Sequence, residues 1–151
     1  MLGLSVIPNY LDDPNKELEL AKKASFERIT QDETYVFEGF SILEQSDAGI
    51  VAYRKYLPHF HYPTFIHNDD RLCKRTRVLF LMDDPAQSIR FWEPKTNQPN
   101  SFRCDDWNLV CEVMGRFNTC VEFNAESWHS RWPYAFCDYN EMRLIKVWFL
   151  K

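Results

Sequence analysis

The chain has 151 residues, of which 45% are hydrophobic, 16% aromatic and 26% charged. This composition excludes intrinsic disorder, and the length predicts a single domain over residues 1–151 with a substantial core. The formal net charge of −4 gives no general attraction to nucleic acid or to anionic lipid, so neither is an expected partner. No apolar run is long enough to span a bilayer, and the first residues lack a secretory signal pattern.

The cysteines predict a reducing, cytoplasmic environment. There are five, an odd number, at scattered positions and without a C-x-x-C pair. This pattern excludes a zinc ribbon and a thioredoxin-type motif. The interpretation is that the thiols are reduced and pack as small apolar side chains.

Residues 1–58 are predicted to form a helix and strand extension. Leu4–Ile7 is short and apolar, as in an edge strand. Asp13 and Pro14 predict a helix start, because aspartate caps helices and proline suits the first helical position. The apolar spacing then predicts an amphipathic helix over about 14–28. A strand is expected at 34–37, while residues 41–58 fit either a short helix or extended segments.

Residues 59–151 are predicted to form the core of the domain from short strands rich in β-branched and aromatic residues. Their hairpin spacing predicts a mainly β fold, a double-stranded β-helix or jelly roll, preceded by one or two helices. The predicted strands are Tyr62–Asp69, Thr76–Met82, Ser88–Trp92, Trp107–Met114, Asn118–Phe123 and Arg143–Phe149.

His67 and Asp69 form an H-x-D pattern in the first of these strands. Residues two apart in an extended segment point to the same face, so the imidazole and the carboxylate are expected side by side. They provide two thirds of a 2-His-1-carboxylate site, which suits Fe(II) with open coordination positions. The alternative is a histidine that caps a loop beside a turn-forming aspartate.

A third metal ligand must come from elsewhere in the chain. There are four histidines, and of the three clustered ones only His67 has an acid two residues later, which leaves His129 as the remote candidate. His129 alternatively belongs to a surface aromatic turn in which it packs on Trp132. A different, cupin-like metal set would combine His59 and His61 with His129.

Residues 62–149 resemble the Fe(II)- and 2-oxoglutarate-dependent oxygenases. The resemblance rests on the H-x-D before a hydrophobic strand, on the strand and turn over 118–129 that end in His129, and on Arg143 at the start of the last strand. The gap from His129 to Arg143, fourteen residues (143 − 129), is longer than is usual in the family. No motif covers residues 1–58.

The resemblance implies a hydroxylase with Fe(II) held by His67, Asp69 and His129. It further implies that 2-oxoglutarate chelates the iron and places its far carboxylate on Arg143, since a guanidinium binds both oxygens of a carboxylate at once. The substrate, a peptide or a small molecule, is expected to enter over residues 93–104 and 128–134. The rival hypothesis is a non-catalytic jelly-roll protein that serves binding or structure.

Overall fold

A computed structural model describes residues 2–30, 36–56, 66–82, 87–132 and 143–151. These ranges contain one α-helix, α1 (Pro14–Lys23), and a short 3₁₀ turn at Cys104–Asp106. The described strands are β1 (Ser5–Ile7), β2 (Glu27–Thr30), β3 (Val36–Ser46), β4 (Gly49–Tyr56), β5 (Arg75–Phe80), β6 (Ser88–Pro94), β7 (Trp107–Met114), β8 (Cys120–Asn124), β9 (Trp128–Trp132) and β10 (Arg143–Leu150).

The strands form two sheets. The larger has seven strands in the order β1-β8-β5-β10-β4-β3-β2, and the smaller has the order β7-β6-β9 within the described residues. All described pairings are antiparallel. This arrangement confirms the predicted mainly β jelly roll with an N-terminal helix.

The main core lies between the sheets. Apolar side chains from β4, β5, β8 and β10 on one sheet pack against Ile89 and Phe91 of β6 on the other. Along β10, Ile145, Val147 and Phe149 face this core because alternate residues of a strand share a face. The same alternation sends Leu144 to the opposite face, into a second cluster.

Helix α1 covers the outer face of the large sheet. The Asp13 side chain accepts a hydrogen bond from the Lys16 backbone N–H at 3.2 Å, which caps the helix as the sequence predicted. Ala21 is fully buried in the outer cluster with Leu79, Leu81 and Leu144.

The predicted extent of this helix is wrong at its C-terminal end. The helix stops at Lys23, and Ala24 is already extended. Residues 27–30 instead pair with β3 as strand β2. The β-branched residues Ile29 and Thr30 favour this strand, and the long-range pairing overrides the helical spacing.

Of the segment 41–58, left open by the sequence, residues 41–56 contribute to the hairpin of β3 and β4, and residues 57–58 lie outside the described ranges. Gly49 lies at its turn with φ of +134°, and a Cβ there would lie 1.9 Å from the carbonyl oxygen of Phe149. Both the backbone conformation and the close approach of β10 therefore require glycine. Thr34 and Tyr35 of the predicted strand 34–37 lie outside the described residues.

Asn118 fixes the chain that leads into α1. Its backbone carbonyl accepts from Tyr10 N–H at 3.0 Å, and its side-chain amide bonds both the N–H and the carbonyl of Leu11 at 2.9 Å. Asn118 has φ of +59°, a left-handed conformation that asparagine tolerates.

The composition led us to expect reduced thiols and no membrane-spanning segment, and the described residues can be compared with both expectations. Their four cysteines carry free thiols; Cys137 lies outside the described ranges. Among their helices, none has the length and apolar character needed to cross a membrane.

Candidate metal centre

His67 and His129 are placed side by side by backbone hydrogen bonds. The N–H of His67 donates to the carbonyl of His129 at 3.0 Å, and the N–H of His129 donates back to the carbonyl of His67 at 2.8 Å. This isolated antiparallel bridge attaches residue 67 to the edge of β9. The two imidazole rings lie with their centroids 4.4 Å apart.

Asp69 reaches the same point from a turn. Its N–H donates to the carbonyl of Ala125 at 2.7 Å, and its own carbonyl accepts from Leu72 and Cys73 N–H groups. The hydroxyl of Thr76 donates to Asp69 Oδ2 at 2.7 Å and so orients the carboxylate. The predicted extended segment 62–69 is therefore not regular strand at its end, and residues 62–65 lie outside the described ranges.

The three side chains converge as the sequence hypothesis required. His67 Nε2 lies 3.7 Å from Asp69 Oδ1, and His129 Nε2 lies 3.5 Å from Asp69 Oδ2. One ligand atom from each residue lies within 4.8 Å of the others. Cis ligands at about 2.1 Å from a metal lie about 3 Å apart, so side-chain movements of about an ångström bring them into coordination range.

The tautomer of His129 leaves Nε2 free to coordinate. Its Nδ1 lies 2.9 Å from the carbonyl oxygen of Ser127, which can only accept, so Nδ1 carries the proton. Burial lowers the pKa of His129 to about 4, with a further contribution from neighbouring His67 and a smaller one from Arg54. The Asp69 charge and the hydrogen bond to the Ser127 carbonyl raise this pKa, but by less than burial lowers it. A neutral imidazole with an oriented ring is the form that binds metals.

The electrostatics of the site favour a cation. Nε2 of neutral His129 and Oδ2 of Asp69 both present lone pairs, and they face each other at 3.5 Å. Two acceptors at this distance repel each other unless a proton or a metal ion lies between them. Two imidazoles and one carboxylate fit a transition metal such as iron and leave other coordination positions open.

The surroundings of the triad are partly dry. Asp69 is 6% exposed and His129 is 8% exposed, whereas 33% of the His67 side chain is exposed. The ring of Phe123 packs on His129 with centroids 4.7 Å apart, and Phe91 lies beyond at 6.3 Å. Two of the candidate ligands are thus shielded from water, while the third, His67, faces an opening.

Two cavities meet at the triad, and His67 and Asp69 line both. The inner cavity lies between the sheets and has a volume of about 50 Å³, room for a few water molecules. The outer cleft has a volume of about 610 Å³. Its lining includes Arg71, Leu72, Ser101 and Trp128. The last two belong to the predicted substrate-entry segments 93–104 and 128–134.

The remaining candidates named from the sequence are Arg143, His59 and His61. The backbone of Arg143 opens β10, paired with Tyr56, and its side chain lies outside the described part of the structure. His59 and His61 also lie outside the described residues. On the outer face of the large sheet, Lys146 lies under α1 and donates to Glu17 Oε1 at 2.6 Å.

Two cations beside the triad were not predicted from the sequence. Arg54 of β4 and Arg131 of β9 both line the inner cavity. Arg131 stands two residues after His129, so strand alternation by itself would have placed the two on one face. Arg54 had no such signal, because the strand that carries it was not predicted.

The fold can be compared with known proteins. No protein-family model matches the chain, and no curated protein sequence matches it significantly. Among solved structures, the epimerase SnoN in complex with Fe3+, alpha ketoglutarate and nogalamycin RO has a TM-score of 0.68 at 14% identity, over 97% of this chain and 78% of its own.

Two further structures are similar. A prolyl-4-hydroxylase from Pseudomonas putida has a TM-score of 0.60 at 17% identity, covering 100% of this chain and 94% of its own. HygX from Streptomyces hygroscopicus, with nickel, 2-oxoglutarate and hygromycin B bound, has a TM-score of 0.59 at 10% identity, covering 97% and 82%. The chain therefore shares the jelly-roll fold of these structures, and its described residues contain a His-Asp-His cluster.

Proposed function

We propose that this protein is an Fe(II)- and 2-oxoglutarate-dependent oxygenase that hydroxylates a C–H bond of a small molecule. The iron ligands are His67, Asp69 and His129. The support is the convergence of these three side chains in a fold whose similar structures bind iron or nickel and the 2-oxo acid.

The single observation that carries the proposal is the pair of facing acceptors at the triad. Nε2 of His129 and Oδ2 of Asp69 lie 3.5 Å apart, and their orientations are held by the Ser127 carbonyl and by the Thr76 hydroxyl. Such preorganisation keeps lone pairs directed at a common point, which stabilises a cation there. A purely structural cluster would instead place a donor between these atoms.

The protein's own residues position and shield the reaction. His129 and Asp69 are buried ligands with fixed orientations, and Phe123 excludes water from one side of the imidazole. When bound, ferrous iron and 2-oxoglutarate would supply the activation of O2: one oxygen atom would oxidise the 2-oxo acid to succinate and CO2, and the other would hydroxylate the C–H bond. The chain provides the coordination geometry, a narrow inner cavity and a wide outer cleft.

The two cavities are assigned by size. The inner one, at about 50 Å³, is smaller than a 2-oxo acid, so side chains that line it would have to shift for such a slender ligand to enter, and a bulkier substrate does not fit there. The outer cleft is wide enough for a larger substrate beside His67 and presents both an aromatic ring, Trp128, and a charge, Arg71. Two of the similar structures hold nogalamycin RO and hygromycin B, which favours a small molecule over a peptide.

Arg143, the cation that the resemblance assigns to the far carboxylate of 2-oxoglutarate, stays a prediction. Residue 143 lies two positions before Ile145 on β10, in the set of alternate residues that includes the cavity residues Ile145, Val147 and Phe149. The backbone of residue 143 stands at the start of the strand, before Ile145 along β10.

The test is a metal titration. Under anaerobic conditions, Fe(II), Co(II) or Ni(II) should bind one site per chain, and Asp69→Ala or His129→Ala should weaken binding by more than about 100-fold, since ligand loss removes a coordinate bond. Asp70→Ala is the matched control, because Asp70 is an exposed neighbour and should leave affinity unchanged.

The alternatives predict different titrations. If His59→Ala or His61→Ala abolishes binding while Asp69→Ala does not, the cupin-like ligand set is the correct one. If the wild-type chain binds none of the three metals, the non-catalytic jelly-roll hypothesis replaces the enzyme. Consumption of 2-oxoglutarate by the iron-loaded protein then tests the oxygenase chemistry separately from metal binding.

A further inference from the structure

Two arginines from opposite sheets line the inner cavity. Arg54 comes from β4 of the large sheet and Arg131 from β9 of the small sheet, and both line the cavity that His67, Asp69 and His129 also line. A cavity with metal-binding residues and two cations is suited to an anion that extends inward from the metal.

Strand register explains why both arginines face inward. Arg131 pairs with Ile89, and Arg54 pairs with Ile145. Both isoleucines line the same cavity, and directly paired residues of antiparallel strands share a face. The guanidinium of Arg54 is also stacked on Phe40, with Cζ 5.0 Å from the ring centroid, which limits the positions that it adopts.

Arg54 and Arg143 lie at different distances from the triad, as counted along β10. Thr76, which holds Asp69, pairs with Phe149, and the same face then continues through Val147 to Ile145 and its partner Arg54. Each step between residues of one face is about 6–7 Å, so Arg54 lies about two steps and Arg143 about three steps from the triad. A five-carbon diacid together with an extended arginine side chain spans roughly two such steps.

Building on the proposed function, we propose that Arg54, assisted by Arg131, binds the far carboxylate of 2-oxoglutarate. Arg143 is then not the main anchor. In this arrangement the 2-oxo acid end lies at His67, Asp69 and His129, and its chain passes the apolar side chains of Val78 and Val147. The carboxylate reaches a cation on the strand next to β10 and not on β10 itself.

The experiment compares two ligands that differ only in the far carboxylate. Calorimetry on the Ni(II)-loaded protein without oxygen measures the affinity for 2-oxoglutarate and for 2-oxopentanoate, a five-carbon 2-oxo acid that lacks it. Arg54→Met should weaken 2-oxoglutarate by about 30-fold or more, as for loss of a buried charge-assisted contact, and leave 2-oxopentanoate unchanged.

Three variants sharpen the assignment. Arg131→Met should lower the affinity for 2-oxoglutarate by a smaller factor than Arg54→Met and leave the affinity for 2-oxopentanoate unchanged. Arg54→Lys keeps the charge but not the fork, so it should cause an intermediate selective loss, and it remains informative if Arg54→Met does not fold. Arg90→Met is the matched control, because Arg90 bonds Glu112 across the β6–β7 pair and does not line the inner cavity.

The outcomes separate this inference from the proposed function. A selective loss in Arg143→Met with none in Arg54→Met and Arg54→Lys overturns the inference and leaves the oxygenase proposal intact. Equal losses of both ligands in the Arg54 variants also overturn it, because the far carboxylate is then not what Arg54 binds. Failure of the Ni(II)-loaded wild type to bind 2-oxoglutarate at all contradicts the proposed function itself.

Discussion

The two faces of the seven-stranded sheet use polar side chains in different ways. On the outer face, Glu17 of α1 accepts from Lys146 at 2.6 Å and from the Tyr53 hydroxyl at 2.8 Å, so donors meet an acceptor. On the inner side, His129 and Asp69 bring acceptors together instead. The outer group stabilises the contact with a helix, whereas the proposed function assigns a metal ion to the inner group.

The same strands supply both faces. Tyr53 faces the helix while Arg54 lines the cavity, and on β10 Lys146 faces the helix while Ile145 and Val147 line the cavity. Neighbouring residues in sequence therefore serve unrelated purposes. Variants on one face should change stability alone, and variants on the other face should also change metal or ligand affinity.

The largest expected effect is on the free energy of unfolding, when a core residue on either face of the large sheet is replaced by alanine. Phe123→Ala and Leu144→Ala both empty fully buried positions and should lower the free energy of unfolding by about 3–5 and 2–5 kcal/mol respectively. Only Phe123→Ala should also weaken Co(II) binding, because Phe123 packs on the ring of His129. Urea denaturation and metal titration measure the two quantities, with Phe123→Leu as a milder version. Equal metal affinity in both alanine variants would show that the ring does not position the ligand.

An intermediate effect is expected from the outer ion pair. Lys146→Met should lower the free energy of unfolding by about 1–3 kcal/mol, less than for a fully buried pair because the side chains of Lys146 and Glu17 keep 18% and 16% exposure. The double variant with Glu17→Met should recover part of this loss, since no unpaired charge remains under the helix. Metal affinity should not change in either variant. A change there would mean that α1 and the inner site are coupled.

The smallest effect concerns pH. Burial raises the pKa of Glu17, but hydrogen bonds from Lys146 and Tyr53 more than offset this, so its folded pKa lies below 4.5. A lowered carboxyl pKa contributes stability that is fully present above the unfolded value and is lost as pH falls through the folded one. Glu17→Gln should therefore flatten part of the stability decline below about pH 4.5. Glu19→Gln, an exposed position on the same helix, is the control. Identical acid limbs in wild type and Glu17→Gln would remove Glu17 from the pH response.

The candidate metal ligands were predictable from the sequence because the chain contains few residues that could form such a site. With four histidines and one H-x-D, the only triad of the 2-His-1-carboxylate kind was His67, Asp69 and His129, and the structure brings these three together. Strands with strong β composition, such as β7 and β10, were predicted within one residue. The end of α1 was not, because pairing with β3 decided it.

The difference between what was predictable and what was not has a physical reason. Side-chain alternation is a local property of one strand, whereas the pairing register joins strands that are distant in the chain. The sequence by itself determined which residues of a strand share a face, which donors exist and where the last strand lies. Only the tertiary structure decided that Lys146 meets Glu17 under a helix, that Thr76 holds Asp69, and that Arg54 stands opposite Ile145. Side-chain alternation repeats every two residues along one strand, whereas the pairing of strands far apart in the chain depends on the packing of the whole core.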